Sequence, residues 1–369
     1  MTPRERVHAA LRREPVDRIP VFLWLHPVTV RRLSSLLEVP PSRLADCLGD
    51  DVRQTWVGNN HAMEGITHAM EGDTHTDDWG IEWVRVGEFN QILRAPLQDA
   101  APAAVRSYSF PYESVEGLLA RMATVASLSP RYFVGCDISP CLFEMICRLR
   151  GMEQAILDLA EDPSLAAHLL HRAAAFGVRL GEEACRRFPL DWLWTGDDVA
   201  GQRSMIMSPS IWRAMIKPHL RQVVQVGKAH RVWVAYHCCG AVRPIIPDLI
   251  EIGIDVLNPV QCDCPGMDAR DLKREFGRNL AFMGGVDTVD LLPNGSPRAV
   301  RGATEELLEI MTGDGGGYIL AASHTVPPET PTENIFALYA AAGIPKEEIF
   351  DAAAGIRKGL ASGGRGEGR

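Results

Sequence analysis

Residues 232–240 read VWVAYHCCG, an unbroken apolar run that ends in a histidine, two cysteines and a glycine. A strand that is apolar at nearly every position is buried on both faces, the pattern of a parallel sheet covered by helices. Similar runs stand on either side of it. Upstream lie 19–25 (IPVFLWL), 54–58 (QTWVG), 131–139 (RYFVGCDIS) and 191–198 (DWLWTGDD). Downstream lie 255–261 (DVLNPVQ), 280–287 (LAFMGGVD) and 317–324 (GYILAASH). Helical pattern fills the gaps, from Ser210 to near His230 and over 244–252, 268–276, 297–311 and 331–342. Eight such runs with helices between them predict an α/β fold, a (β/α)8 barrel, more readily than an open doubly wound sheet. No GxGxxG opens a helix after a strand, so a dinucleotide fold has little support.

Away from this alternation, 79–97 (WGIEWVRVGEFNQILRAPL) alternates with period two around Gly87 and predicts a β-hairpin excursion from the barrel. The stretch 141–188 reads as helical for several turns, with Gly151 and the Asp162-Pro163 pair as breaks. We therefore expect one barrel domain over 1–361, with the hairpin near 79–97, and a Gly-rich, charged, disordered tail over 362–369. A chain of 369 residues is long enough for such a barrel, and its formal charge of −9 argues against nucleic acid or an anionic membrane surface as the main partner.

The nine cysteines are odd in number and irregular in spacing, which is not a disulfide framework. The N-terminus lacks the apolar run of a signal peptide, and no 18-residue apolar stretch occurs, so a reducing cytoplasm is the expected location. There a cysteine serves as a small buried hydrophobe, a metal ligand or a reactive thiol.

In a barrel the chemistry gathers where strands end, because the βα loops form the mouth. The residues standing there are Asp197 and Asp198, then His237, Cys238 and Cys239, then Gln261, Cys262 and Cys264, then Asp287, then His324. His237 and Cys239 are at i and i+2, about 6–7 Å apart by strand rise, so both can reach one zinc ion. The same pair also reads as a hydrogen-bonded histidine beside a buried thiol. Cys238 faces the other way and is expected to pack in the sheet. A catalytic zinc site needs a third protein ligand, for which His324, Cys262 and Cys264 are the candidates. Asp197 and Asp198 read either as an acid/base pair or as caps of the following helix, although Ser208 and Ser210 are nearer that helix start. The first run ends in Trp24-Leu25-His26-Pro27, with no arginine cluster to hold a polycarboxylate.

These residues carry a family resemblance. The segments 4–21 (RERVHAALRREPVDRIPV), 77–83 (DDWGIEW), 196–220, 236–261, 282–288 (FMGGVDT) and 315–335 make the chain similar to the uroporphyrinogen decarboxylase superfamily. Within it, the chain resembles the cobalamin-dependent methyltransferase branch more than the true decarboxylases, which carry an arginine-rich loop after the first strand. The resemblance implies a distorted (β/α)8 barrel and a zinc held by a His-x-Cys pair and a later cysteine. His237 and Cys239 match the pair, no cysteine follows Cys264, and the third position falls on His324. It also implies a methyltransferase or demethylase that moves a methyl group between a corrinoid, such as methylcobalamin, and a small thiol or methoxylated substrate. The corrinoid would be bound free or presented by a separate corrinoid protein. On this reading Asp197, Asp198 and Asp287 are the candidate catalytic groups, and Gln261, Trp24 and His26 the candidate cofactor contacts. A metal-independent decarboxylase and a non-catalytic corrinoid or tetrapyrrole binder are the alternatives.

Overall fold

The computed structural model describes residues 1–58, 71–87 and 89–363. Ten strands are present: β1 (Val52–Trp56), β2 (Thr74–Thr76), β3 (Glu82–Val86), β4 (Phe89–Arg94), β5 (Phe133–Asp137), β6 (Trp192–Gly196), β7 (Trp233–His237), β8 (Val256–Val260), β9 (Ala281–Val286) and β10 (Tyr318–Ala322). The chain divides into two compact units. Unit 1 comprises Met1–Arg53, Pro130–Phe133 and Asn258–Arg369, and unit 2 comprises Gln54–Ser129 and Val134–Leu257. The division falls inside β1, β5 and β8.

In unit 2 the sheet order is β1, β5, β6, β7, β8. Strands β5 and β6 pair in parallel with Gly135 opposite Trp192, and β6 and β7 with Gly196 opposite His237. Every residue of β5 and β6 is buried, as two-sided coverage requires. The covering layer includes the helices Phe143–Arg150, Met152–Glu161 and Pro163–Arg187. Their breaks fall at Gly151, with φ +77°, and at Asp162, whose side chain caps the third helix by accepting from Leu165 N–H. The helical run expected from Ser210 to near His230 is two helices, Pro209–Met215 and Lys217–Ala229. Pro218 explains the break, since it has no N–H to return to the preceding turn.

The excursion is larger than a hairpin. Strands β3 and β4 pair antiparallel, with Trp83 opposite Ile92, and β2 adds a third strand against β3. Three residues of β2 are too few to show a periodicity, which is why the sequence did not announce it.

In unit 1, β8, β9 and β10 follow in order, β9 and β10 being parallel with Tyr318 opposite Phe282. The run 19–25 is not a continuous strand, a correction to the eight expected. It makes two isolated parallel bridges, Val21 to Leu320 and Leu25 to Val326, and Asp51 N–H donates to the Val21 carbonyl. Pro20 removes one ladder donor, and the run still lies between β10 and the approach to β1. The tail expectation also changes. The last helix, Lys346–Gly363, takes in the first two residues of 362–369, and the remainder lies outside the described residues. No helix among the described residues is long and apolar enough to cross a membrane.

Unit 1 buries a charged cluster. Asp51 accepts from the guanidinium groups of Arg6 and Arg18 and from Val21 N–H, and Asp50 accepts from the Tyr339 hydroxyl at 2.8 Å. Burial pushes the Asp50 carboxyl up to about 7, with the Asp51 carboxylate adding to the rise and Arg53 and Tyr339 opposing it. A folded value above the unfolded one of about 3.9 means that the native state holds this proton more tightly. The contribution is complete below about pH 4 and is lost as pH rises through about 7. The thermal transition is therefore expected to fall between about pH 5 and pH 8, by an amount on the order of 2–4 kcal/mol in stability. Asp50→Asn flattens that slope; a variant that loses stability as steeply as the parent overturns the assignment.

Candidate functional site

Strand β7 stops at His237, and the chain turns through Cys238 and Cys239 to Gly240, which has φ +86°. Because the strand stops there, Cys239 does not sit one strand repeat beyond His237. Its Sγ lies 3.4 Å from His237 Nε2, much closer than strand rise predicts. The neighbouring end of β6 fixes this turn. Asp197 N–H donates to the His237 carbonyl at 3.0 Å, Cys239 N–H donates to Asp198 Oδ1 at 2.9 Å, and Ala241 N–H donates to the Gly201 carbonyl at 3.0 Å. Asp198 Oδ1 also stands 3.9 Å from His237 Nε2. Through the Cys239 N–H, Asp198 holds the cysteine loop in place beside the ring.

Two ligands of a tetrahedral zinc, with Zn–N near 2.0–2.1 Å and Zn–S near 2.3 Å, stand about 3.6 Å apart. The observed 3.4 Å fits that separation, and nitrogen with sulfur is a donor pair that zinc favours. Cys238 is fully buried with its Sγ toward the Cys239 carbonyl, as expected of a packing residue. None of the nine cysteines, all of them among the described residues, forms a disulfide.

Asp197 departs from its expected place at the mouth. It is 1% exposed, and its Oδ1 accepts the Glu144 N–H at 2.6 Å, which caps the helix Phe143–Arg150. Burial pushes its carboxyl well above the ordinary range. It is therefore a cap after all, but of a helix that precedes it in the chain; Ser208 caps the one that follows by accepting from Ile211 N–H.

The remaining candidates lie in unit 1. Asp287 accepts from the N–H groups of Val289, Asp290 and Leu291, so its carboxylate holds the turn after β9. His26 is 1% exposed and caps the helix Pro27–Leu37, its Nδ1 accepting from Val28 N–H. Trp24 is half-buried and packs edge-on to Phe22. Gln261 begins a turn in which Cys264 N–H donates to its carbonyl, leaving Cys264 buried and Cys262 exposed rather than shielded. His324 follows β10 by two residues and is half-buried. Its neighbour Ser323 ties it to the end of β9, donating its N–H to the Val286 carbonyl and accepting from Thr288 N–H.

Unit 2 also contains a cavity of about 760 Å³ that no sequence motif announced. Trp83, Leu93, Phe143, Cys147, Asp198 and Ile206 are among its lining residues. Glu144 and Arg148, at i and i+4, form an ion pair on its wall.

Residues 141–343 match the family described as uroporphyrinogen decarboxylase (URO-D), more than half of the chain. The chain belongs to the uroporphyrinogen decarboxylase family. Its curated relatives include the "methylated-thiol–coenzyme M methyltransferase" of Methanosarcina mazei, 24% identical over 58% of this chain and 55% of that one. The "methylcobamide:CoM methyltransferase MtbA" of the same organism is 21% identical over 90% of this chain and 95% of its own length. The chain thus spans about half of the first relative and nearly all of the second. A solved "methyltransferase from Methanosarcina mazei" superposes with a TM-score of 0.65 at 20% identity, covering 93% of this chain and 98% of that one. The fold is accordingly the uroporphyrinogen decarboxylase type of (β/α)8 barrel.

Proposed function

We propose that the chain is a zinc-dependent methyltransferase or demethylase that moves a methyl group between a corrinoid and a small thiol or methoxylated substrate. The observation that carries the reading is the 3.4 Å approach of Cys239 Sγ to His237 Nε2, close to the separation that two ligands of one zinc would have, on a loop held by Asp198. The names of the relatives, which refer to methylcobamide and methylated thiols, support the transfer chemistry. His237, Cys239 and His324 each offer one ligand atom, and they are the proposed zinc ligands. Bound zinc supplies a Lewis acid that polarises a sulfur or oxygen of the substrate.

The chain's own residues do the positioning. Cys239 acts as thiolate and His237 as neutral imidazole, since both must be deprotonated to ligate. Asp198 holds the Cys239 backbone and so keeps its thiol beside the imidazole. The corrinoid is proposed to come as a free cofactor or on a separate protein.

The test is a metal count together with turnover. One zinc per chain is expected, with methyl transfer from methylcobalamin to a thiol, or demethylation of a methoxylated compound, lost on chelation and restored by zinc. Undiminished transfer by metal-free protein overturns the reading.

A further inference from the structure

Strand β4 forgoes an ion pair that its register offers. Arg94 stands opposite Glu82 in the β3–β4 ladder, where opposite charges attract. Yet the Arg94 guanidinium pairs neither with Glu82 nor with any other carboxylate among the described residues. A bulge re-aims this end of the strand. The register shifts between Glu82 and Trp83, which leaves Leu93 as an extra residue on β4. Ile92, Leu93 and Arg94 then all line the unit 2 cavity, whereas strict alternation would turn Leu93 to the other face.

Four charged residues line that cavity, and two of them cancel. Glu144 and Arg148 form an ion pair, and the Arg148 guanidinium also stands 5.6 Å from the Trp83 ring. Arg94 and Asp198 remain. Asp198 accepts the Cys239 N–H, and its one basic neighbour among the described residues is His237 at 3.9 Å, a neutral imidazole when it ligates a metal. The helix Phe143–Arg150 sets the span between the two charges, since Phe143, Glu144, Cys147 and Arg148 line the cavity along one face of it. Asp197, next to Asp198, caps its first turn, and Leu97 N–H, three residues past Arg94, donates to the Leu149 carbonyl in its last turn. Eight residues at about 1.5 Å each place the charges on the order of 10 Å apart. The same wall exposes apolar surface, with Leu93 and Met152 55% and 53% exposed.

From these features we infer that the cavity is a binding site for an elongated zwitterion, with its anionic group on Arg94, its apolar body against Leu93 and Met152, and its cationic group at Asp198. A dianion would meet the Asp198 carboxylate and a dication the Arg94 guanidinium, whereas a ligand charged oppositely at its two ends satisfies both. The inference goes beyond the methyl-transfer reading and does not rest on it, since neither anchor is a proposed metal ligand.

The experiment is calorimetric titration of the full chain, zinc-loaded and chelator-treated, with 8-aminooctanoate as the probe and octanoate and octylamine as its singly charged counterparts. The amino acid is expected to bind about 10-fold or more tighter than either counterpart in both forms of the protein. Arg94→Gln, at an exposed position, is expected to weaken the amino acid about 10-fold and to leave octylamine no weaker. Asp198→Asn, which keeps an acceptor for the Cys239 N–H, is expected to weaken the amino acid about 10-fold and to leave octanoate no weaker. Arg301→Gln, at a 57% exposed position outside the cavity, is expected to change none of the three, which separates the site from net charge. No binding of the amino acid, a counterpart that binds as tightly, binding that disappears with zinc, equal weakening by Arg301→Gln, or an Arg94→Gln or Asp198→Asn variant that binds like the parent each overturn the assignment. Binding in this pattern by a chain without zinc-dependent methyl transfer keeps the site and overturns the activity, and methyl transfer without this binding does the reverse, so the two failures are distinguishable.

Discussion

Cys239→Ala is expected to weaken zinc binding and lower methyl transfer at least about a thousandfold, while metal-free variant and metal-free parent unfold together. The backbone of the Cys239 loop is held by its N–H to Asp198 Oδ1 and by Ala241 N–H to the Gly201 carbonyl, neither of which involves the thiol. Alanine therefore removes the ligand and leaves the loop. Zinc bound by protein ligands is held with apparent free energies of about 10–16 kcal/mol in structural sites, and a thiolate is among the strongest of those ligands. Losing one of three ligands removes a share of several kcal/mol, and each 1.4 kcal/mol is about tenfold in affinity. Chelator competition measures the first effect, and the rate of transfer from methylcobalamin the second.

Two neighbouring cysteines make the result specific. Cys238→Ala opens a small void in a fully buried position and is expected to lower stability by about 1 kcal/mol while retaining zinc. Cys262→Ala, at an exposed site, is expected to change neither stability nor zinc. Zinc retained by Cys239→Ala, or lost from Cys262→Ala, removes the proposed ligand set and leaves the fold untouched.

The contrast among these cysteines shows what the sequence could and could not convey. The His-x-Cys pair was legible because an apolar run must end somewhere, and a histidine and a cysteine at the end of a two-sided strand are conspicuous. Its separation was not legible: alternation along a strand predicts a wider gap, and only the stop at His237 brings the two side chains together. The helix breaks at Gly151 and at Asp162-Pro163 were local and could be read, since each follows from one residue's backbone chemistry. Asp197 could not be read. Its partner is the Glu144 N–H, far away in the sequence, and a cap reaching back to an earlier helix leaves no spacing signature. The local duties of Asp287 and His26 were equally hidden: a polar residue at a strand end serves a turn or a helix start as readily as a mouth. The cavity was the least legible feature, because its wall draws on β4, a helix and a loop that share no periodicity.

Gly240→Ala is expected to have the largest effect of any single methyl group added near the site. With φ at +86°, alanine there is strained by about 1–2 kcal/mol before any contact is considered. Its Cβ would also lie 2.4 Å from the Gly201 carbonyl oxygen and 2.7 Å from the carbonyl carbon. Both are backbone atoms, so no side-chain rotation relieves the overlap; the loops after β6 and β7 must part. Parting them breaks the Ala241 N–H to Gly201 bond and pulls on the Cys239 N–H to Asp198 bond one residue away. Strain and a lost buried hydrogen bond together are expected to lower stability by about 3 kcal/mol. Zinc affinity is expected to fall at least about tenfold, because Cys239 moves with the loop. Gly87→Ala separates the two causes: its φ is +59° and nothing lies within 4 Å of an added Cβ, so only the strain of about 1 kcal/mol is expected there, with zinc unaffected. Denaturant unfolding and chelator competition on both variants give the comparison. If Gly240→Ala proves no worse than Gly87→Ala and keeps its zinc, the contact between the two loops does not set the geometry of the His237–Cys239 pair, and Asp198 alone must hold it.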